Sequence, residues 1–251
     1  MNENYSYDGT LEGMFTVFYL LLKNKNIPKD IKPLNGSNIF VDNYIFIQTK
    51  DSRSSYLYNY LRNHLDSKIF KKVIISFLSE KNNKELFIYK YILLNLKTQN
   101  QADRYIKKEY VDFINSSYRS ITSEAHKLTG LIRFKLLKDG FYYASIHPKN
   151  DVILLLYPHF SKRFNTFRWM IHDMNRSKIL IFNGESSQIH FVKEFDRRTL
   201  ESYYDSEELY FQQLWKEYHK NMEIKERKNK KVQQHFMPLR YWQDLIEDIN
   251  S

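Results

Sequence analysis

The spacing of apolar residues changes near residue 130, and this change limits the fold more than any other feature of the sequence. Upstream, apolar side chains recur every three or four residues, as on one face of a helix: Val111, Ile114, Tyr118, Ile121, Ala125 and Leu128. Gly130 is expected to end this helix. Downstream, apolar and polar residues alternate over residues 132–136 and again over 142–146. Because alternation indicates a strand with one buried face, the sequence predicts a long helix followed by an antiparallel pair of strands.

Further segments extend this pattern in both directions. Asp8 or Thr10 is expected to cap a helix that reaches Leu22, residues 39–49 have the composition of a strand, and residues 52–98 are expected to be helical. A helix over 152–164 and short strands over 167–172, 178–182 and 188–192 follow the hairpin. This order predicts an α+β fold, with an antiparallel sheet of about five strands, built on a strand-strand-helix-strand-strand core, that several helices cover.

The domain organisation follows from the absence of breaks in the sequence. Neither a low-complexity linker nor an internal repeat divides the 251 residues. We therefore expect one domain over residues 1–251. Within it, we expect a mostly helical N-terminal half (7–129), an antiparallel sheet core (130–193) and a helical, basic C-terminal segment (205–251).

The composition excludes several classes of chemistry. The chain contains no cysteine, which removes disulfides, thiolate nucleophiles, zinc-thiolate sites and iron-sulfur clusters. Its six glycines are too scattered for a phosphate-binding loop, and neither a nucleophile elbow nor a His-Glu-x-x-His motif is present. We therefore expect no cofactor, and redox chemistry would have to come from a partner.

The charge balance indicates a polyanionic partner. The chain has 39 basic and 29 acidic residues, a net charge of +10, which favours nucleic acid before a membrane surface. A codon bias towards lysine and asparagine is the alternative explanation. No signal peptide opens the chain, and the longest apolar runs, such as residues 152–157, are far shorter than the roughly 20 residues of a membrane span. A cytoplasmic protein without a membrane partner is expected.

Four residues are candidates for acid-base catalysis: Glu124, His126, His172 and Asp173. His172 with Asp173 is the best single candidate, because a carboxylate beside an imidazole raises its pKa. Adjacent strand residues point to opposite faces, however, which disfavours direct pairing. His126, His147, His159 and His172 could alternatively converge as metal ligands with a carboxylate, but their spacing is long and irregular, and no metal is assigned.

Cations interleaved with aromatic residues indicate a nucleic-acid-binding surface, with a plain solvated face as the alternative. Five cations near the C-terminus would neutralise phosphates: Lys225, Arg227, Lys228, Lys230 and Lys231. Four more would line a path to a pocket: Arg133, Lys135, Arg163 and Arg168. That pocket is expected to contain His126, His159, Trp169 and His172, and Trp169 or Tyr143 would stack on an extruded base.

Six ordered motifs carry a resemblance to a known family. They are Tyr7-Asp8-Gly9-Thr10 with Glu12-Gly13, residues 123–127 followed by Gly130 and Arg133-Phe134, Tyr142-Tyr143-Ala144 with Pro148 and Asp151, Pro158-His159-Phe160 with Arg163-Phe164, Trp169 with Ile171-His172-Asp173, and Arg227 with Asn229, Gln233, Met237-Pro238 and Tyr241-Trp242. Together they resemble the bacterial family labelled "probable DNA metabolism protein", domain of unknown function 4130. The resemblance covers nearly the whole chain.

The resemblance implies a role in DNA repair or modification. Members of that family lie beside a radical-SAM DNA repair protein or are fused to a uracil-DNA glycosylase-like domain. We therefore predict a DNA-binding accessory protein that presents DNA to such an enzyme. The alternatives are an enzyme that acts on a DNA base or backbone with histidine acid-base chemistry, and a protein-interaction scaffold whose charge is incidental.

Overall fold

The computed structural model describes residues 3–34, 43–192, 197–224, 226 and 229–247. The chain divides into two compact units, Met1–Ile121 and Thr122–Ser251. The expectation of one domain over residues 1–251 stays a prediction. Among the described residues, no helix is both long enough and apolar enough to cross a membrane.

The first unit contains a small parallel sheet and several helices. Its elements are β1 (Asn4–Tyr7), α1 (Leu11–Lys23), β2 (Asp30–Pro33), β3 (Tyr44–Phe46), α2 (Asp51–His64), α3 (Ser67–Phe77), α4 (Lys84–Thr98) and the first part of α5 (Glu109–Leu131). β1 lies between β2 and β3 and is parallel to both. The sequence did not predict this sheet, although part of the strand expected over 39–49 is β3; residues 35–42 lie outside the described residues.

The expectation of helices over 52–98 is confirmed by α2, α3 and α4. Apolar side chains from these helices, such as Leu61, Val73 and Tyr91, are buried together with residues of α1. Tyr7 at the end of β1 donates a hydrogen bond to Glu85 of α4 across 2.8 Å inside this core. Burial raises the pKa of the Glu85 carboxyl above its usual range.

The motif that opens the first unit has a structural role. Thr10 caps α1, because its hydroxyl accepts a hydrogen bond from the backbone N–H of Gly13. Asp8 accepts hydrogen bonds from Thr10 and, across 2.6 Å, from the hydroxyl of Thr49. A Cβ atom at Gly13 would clash with Asp8, Thr49 and Tyr7. The glycine in this motif therefore makes room for the Asp8 side chain.

The second unit is built on a five-stranded sheet. After the end of α5 it contains β4 (Lys135–Leu136), β5 (Tyr142–Ile146), α6 (Ile153–Arg163), β6 (Trp169–Asp173), β7 (Lys178–Phe182), β8 (Ser187–Phe191), α7 (Arg197–Ser202), α8 (Ser206–Met222), α9 (Lys230–Phe236) and a 3-10 helix (Leu239–Asp244). The strand order is β4-β5-β6-β7-β8. The expected α+β class and the order of the core elements are confirmed.

The prediction of an antiparallel sheet is wrong at one position. β5 and β6 are parallel, whereas the other neighbouring pairs are antiparallel, so the sheet is mixed. The reason is α6, which connects β5 to β6 and returns the chain to the end of the sheet where β5 began. In addition, α5 does not end at Gly130 but continues to Leu131.

We predict opposite effects for two glycine-to-alanine substitutions within helices. Gly13→Ala should lower the free energy of unfolding by about 1 to 3 kcal/mol, because the added methyl group displaces Asp8 and Thr49. Gly130→Ala should raise it by up to about 1 kcal/mol, since nothing lies within 4 Å of the new atom and alanine favours the helix. Urea unfolding of both variants measures the difference. Equal effects would contradict the role assigned to Gly13.

Candidate functional site

The parallel pair β5 and β6 carries different groups on its two faces. Tyr142 lies beside Trp169, and Tyr143 lies beside Met170. Because successive strand residues point to opposite sides, Tyr142 and Trp169 share one face, while Tyr143 and His172 share the other. An aromatic cavity lies on the first face and a polar cluster on the second.

The aromatic cavity has a volume of about 500 Å³. Six of its lining residues are aromatic: Phe134, Tyr142, Phe160, Phe164, Phe167 and Trp169. The Phe134 ring packs edge-to-face on Phe160 at 5.3 Å and on Phe164 at 5.6 Å. These contacts keep the rings of the cavity wall in fixed orientations.

Three segments of the second unit form the walls of the aromatic cavity. The last turn of α5 supplies Thr129 and Gly130, and the last turn of α6 supplies Phe160 and Arg163. The turn between α6 and β6 supplies Phe164 and Phe167. Trp169 at the start of β6 is almost fully buried, and its indole Nε1 has no hydrogen-bond partner among the described residues. A buried donor without an acceptor is unfavourable, so an acceptor on a bound ligand would be accommodated here.

The two arginines that line the aromatic cavity differ in their partners. Arg133 contacts one carboxylate oxygen of Glu247 with Nε at 2.9 Å and with Nη2 at 2.6 Å, so its charge is compensated. Arg163 is exposed, and its guanidinium lies 5.6 Å from the ring centre of Phe164. No acidic partner of Arg163 is found in the described part of the chain. Arg163 is therefore the cation of this cavity that remains available to an anion.

The polar cluster surrounds a small cavity of about 90 Å³ on the other face of the sheet. His147 Nδ1 lies 2.9 Å from an oxygen of Asp244, and the Ser145 hydroxyl donates to Asp244 across 2.9 Å. The Tyr143 hydroxyl lies 3.0 Å from His172 Nδ1. Lys135 also lines this cavity.

His172 is kept neutral by its surroundings. It is almost fully buried, and burial, with a smaller contribution from the nearby His147, lowers the pKa of His172 to about 4. The bond between Asp244 and Nδ1 of His147 orients that imidazole and leaves Nε2 as the nitrogen that can exchange a proton. His147 therefore has the geometry of a general base, while His172 does not carry a charge at neutral pH.

Glu124, a catalytic candidate from the sequence, is used as a structural group. Its two oxygens accept hydrogen bonds from five donors: Lys149 N, Asn150 N, Asn150 Nδ2, Arg240 Nη2 and the Tyr241 hydroxyl. Burial alone raises the pKa of Glu124, but the hydrogen bonds outweigh it, and the pKa lies below its usual range. A saturated carboxylate of low pKa is a poor proton acceptor.

Asp173 is likewise committed to a turn. It is fully buried and accepts hydrogen bonds from the backbone N–H of Asn175 at 3.0 Å and from Arg176 at 2.8 Å. Burial raises the pKa of Asp173 although Arg176 opposes the shift. His172 contacts Tyr143 on the other face of the sheet, as the alternation of the strand predicts.

The remaining predicted histidines lie apart from the aromatic cavity. His126 on α5 and His159 on α6 are exposed, and neither is among the residues that line it. The expectation that they join Trp169 and His172 in one pocket does not match this placement. Within the described ranges, no group of three or more His, Asp or Glu side chains is arranged to hold a metal ion.

The predicted cations have different positions. Arg168 is exposed and donates to the backbone oxygen of Asp139 at 2.8 Å, and Lys135 belongs to the polar cluster. Lys230 and Lys231 are exposed in the first turn of α9. Lys225, Arg227 and Lys228 lie outside the described residues.

Several site residues were missed at the level of sequence. Phe160, Phe164 and Phe167 follow one another around Arg163, a spacing that places aromatic rings at the end of a helix. Ser145 and His147 share the face of β5 that carries Tyr143, so the alternation of polar residues was a usable signal. The partner of this pair, Asp244, is 97 residues from His147, and no local pattern indicates it.

We predict that His172 makes the folded protein sensitive to acid. The unfolded chain takes up a proton on this histidine near pH 6.5, whereas the folded protein does so only near pH 4. The free energy of unfolding should therefore fall as the pH decreases through this window, by at most about 1.4 kcal/mol per pH unit. The loss should be smaller in His172→Gln and unchanged in His126→Gln, as urea unfolding at several pH values would show. Equal pH dependence in all three proteins would contradict a neutral His172.

Comparison with known proteins gives a family but no characterised relative. A family model described as a domain of unknown function, DUF4130, matches residues 82–247. No curated protein and no solved structure matches the chain. The match includes the second unit's sheet, the aromatic cavity and the polar cluster, and covers well over half of the 251 residues. The chain therefore belongs to the DUF4130 family, as its motifs indicate.

Proposed function

We propose that the protein is a DNA-binding accessory protein of DNA repair or modification, which holds an extruded base in the aromatic cavity and presents the DNA to a partner enzyme. The observation that carries this proposal is the cavity itself, with six aromatic residues and an uncompensated Arg163 among those that line it. The partner class, a radical-SAM DNA repair protein or a uracil-DNA glycosylase-like protein, rests on the family resemblance alone.

The size and the lining of the aromatic cavity suit a planar ligand. Its volume of about 500 Å³ falls in the range of roughly 300 to 1,000 Å³ that encloses small molecules. Stacking between a base and an aromatic side chain contributes about 1 to 3 kcal/mol, without dependence on sequence. Ring acceptors of a base can also satisfy the buried Nε1 of Trp169.

The charges near the aromatic cavity suit the phosphates that flank an extruded base. Arg163 lines the cavity, and Lys162 and Arg168 are exposed in the neighbouring segments. An extruded base leaves its two flanking phosphates close to the opening, where exposed cations can contact them. The net charge of +10 adds a longer-range attraction to DNA.

We predict that two cavity substitutions weaken the binding of DNA that contains an unpaired base. Phe167→Ala removes a half-exposed ring and should cost about 1 to 3 kcal/mol, roughly 5- to 150-fold in affinity. Arg163→Gln should also weaken binding and reduce its salt dependence, because one phosphate contact is lost. Lys162→Gln is the matched control, since it removes one exposed positive charge from the same helix outside the cavity lining.

The measurement uses a duplex with 2-aminopurine opposite an abasic site. Stacking on the rings of the aromatic cavity should quench the fluorescence of the wild-type complex, and Phe167→Ala should restore part of it. Binding should weaken steeply between low and physiological salt. A flat salt response, or equal losses in Arg163→Gln and Lys162→Gln, would overturn the proposal for this cavity.

A second candidate function is an enzyme that acts on a DNA base or backbone. It is favoured by the pairing of His147 with Asp244 at the small polar cavity, next to Ser145 and Lys135. In this arrangement His147 is the general base, Asp244 orients it, and Lys135 offers a positive charge to an anionic group. The acid-base chemistry expected from His172 or His126 would thus move to His147.

We predict that His147→Gln separates the two functions. If the protein is an enzyme, wild-type protein should convert a lesion-bearing oligonucleotide to a product that mass spectrometry detects, His147→Gln should lose about 10²- to 10⁴-fold in rate, and DNA binding should persist. His126→Gln serves as the control, because His126 is exposed on α5. Absence of product with wild-type protein, with and without the partner enzyme, would remove this candidate and leave the accessory role.

A further inference from the structure

Helix α8 presents its large apolar side chains to solvent. Phe211, Leu214, Tyr218 and Met222 follow one another at steps of three and four residues and form a stripe along one side of the helix. Each is more than 40% exposed. Stripes of this kind on a folded protein mark a surface that another molecule covers.

The polar side of α8 is the side that attaches it to the second unit. Glu208 is buried and accepts a hydrogen bond from the backbone N–H of Leu136 at 2.8 Å. Gln212, one turn further, donates to Glu208 at 2.7 Å. The apolar stripe, which faces another side, therefore has no role in attaching α8 to the sheet.

The charges of α8 argue against a nucleic acid on the stripe. Lys216 and Lys220 lie on the side of the helix opposite Tyr218 and Phe211, as the rotation of about 100° per residue shows. Glu207 lies in line with the stripe at its N-terminal end. A surface with an acidic end and distant cations repels phosphates, so a protein surface is the suitable occupant.

The stripe is self-complementary when two copies of α8 run antiparallel. With a two-fold axis between Leu214 and Trp215, Phe211 of one copy faces Tyr218 of the second copy, and Leu214 lies at the axis. A parallel arrangement would instead bring the two Glu207 side chains together. The pattern of the stripe therefore favours an antiparallel pair.

The two ends of α8 also match each other in shape and charge. A groove of about 480 Å³ lies at its C-terminal end and is lined by His219, Met222, Ile224, Asn229, Val232 and Gln233. In the antiparallel pair, the exposed ring of Tyr210 of the second copy faces His219 at this groove. Glu207 of the second copy then approaches the first turn of α9, which carries Lys230 and Lys231.

From these observations we infer that α8 is a homodimer interface, in which two copies of the chain pair antiparallel through the stripe of Phe211, Leu214, Tyr218 and Met222. The inference is independent of the proposed DNA-binding function. Each chain carries a net charge of +10, and the resulting repulsion is screened over about 8 Å at physiological ionic strength. Dimerisation should therefore strengthen with salt, whereas DNA binding weakens with salt.

The chain offers a matched pair of leucines for the test. Leu214 lies in the stripe, and Leu209, which is also exposed, lies on another side of the same helix. In sedimentation equilibrium, Leu214→Ser should weaken the dimer about tenfold or more, while Leu209→Ser should leave it unchanged. Because both side chains are exposed, both variants should keep the folded structure.

Cross-linking tests the position of the axis. The chain has no cysteine, so a single introduced cysteine reports on one site. Under mild oxidation, Leu214→Cys should form a covalent dimer, and Leu209→Cys should not under the same conditions. A wild-type protein that stays monomeric at high concentration and high salt, or equal cross-linking of the two cysteine variants, would overturn the dimer.

Orientation has its own test. Glu207→Lys alone, and Lys230→Glu with Lys231→Glu in another chain, should each weaken self-association, because like charges then meet at both ends. A mixture of the two variants should form heterodimers, since each end again pairs opposite charges. Failure of the mixture to associate would contradict the antiparallel arrangement. If Leu214→Ser lowers oligonucleotide affinity in a monomeric protein, the stripe binds nucleic acid and the dimer is overturned.

Discussion

The second unit depends on the saturated carboxylate of Glu124. A single buried side chain joins α5 to the loop at Lys149 and Asn150 and to the 3-10 helix at Arg240 and Tyr241. Each donor that lost this acceptor inside the protein would cost about 1 to 3 kcal/mol. The same bonds fix the last turns of α5, which line the aromatic cavity, and the 3-10 helix, which supplies Asp244 to the polar cluster. One structural carboxylate thus positions parts of both candidate sites.

The two sites share the parallel strands β5 and β6, and their separation follows from strand geometry. Alternation sends Tyr142 and Trp169 to one face and Tyr143 and His172 to the other, so the apolar and the polar site cannot merge. A ligand stacked in the aromatic cavity does not reach His147 through the sheet. Base binding and acid-base chemistry are therefore alternative functions of two surfaces, which explains why a substitution on one face can test one function without disturbing the other.

Local patterns in the sequence were sufficient for the elements and insufficient for their partners. The spacing from Val111 to Leu128 predicts α5, and the alternation around residues 132–146 predicts the hairpin. The direction of β6 relative to β5 depends instead on the connection through α6, which the list of elements contains but their spacing does not express. Contacts at long range are further from reach: Arg133 is neutralised by Glu247, 114 residues away. A positive charge in the sequence is therefore not yet a charge that a ligand can use.

This neutralisation shows why net charge locates no site by itself. Several cations of the second unit already hold carboxylates, as Arg176 holds Asp173, Lys178 holds Asp151 and Arg240 contacts Glu124. These pairs stabilise loops, and their charge is largely cancelled at short range. The attraction for DNA must then come from cations such as Arg163, which lie beside exposed rings without a carboxylate among the described residues. Helix α8 presents the converse case, because its polar side is attached and its apolar side is free. An amphipathic helix with this inverted orientation gains hydrophobic stabilisation only when a second surface covers it.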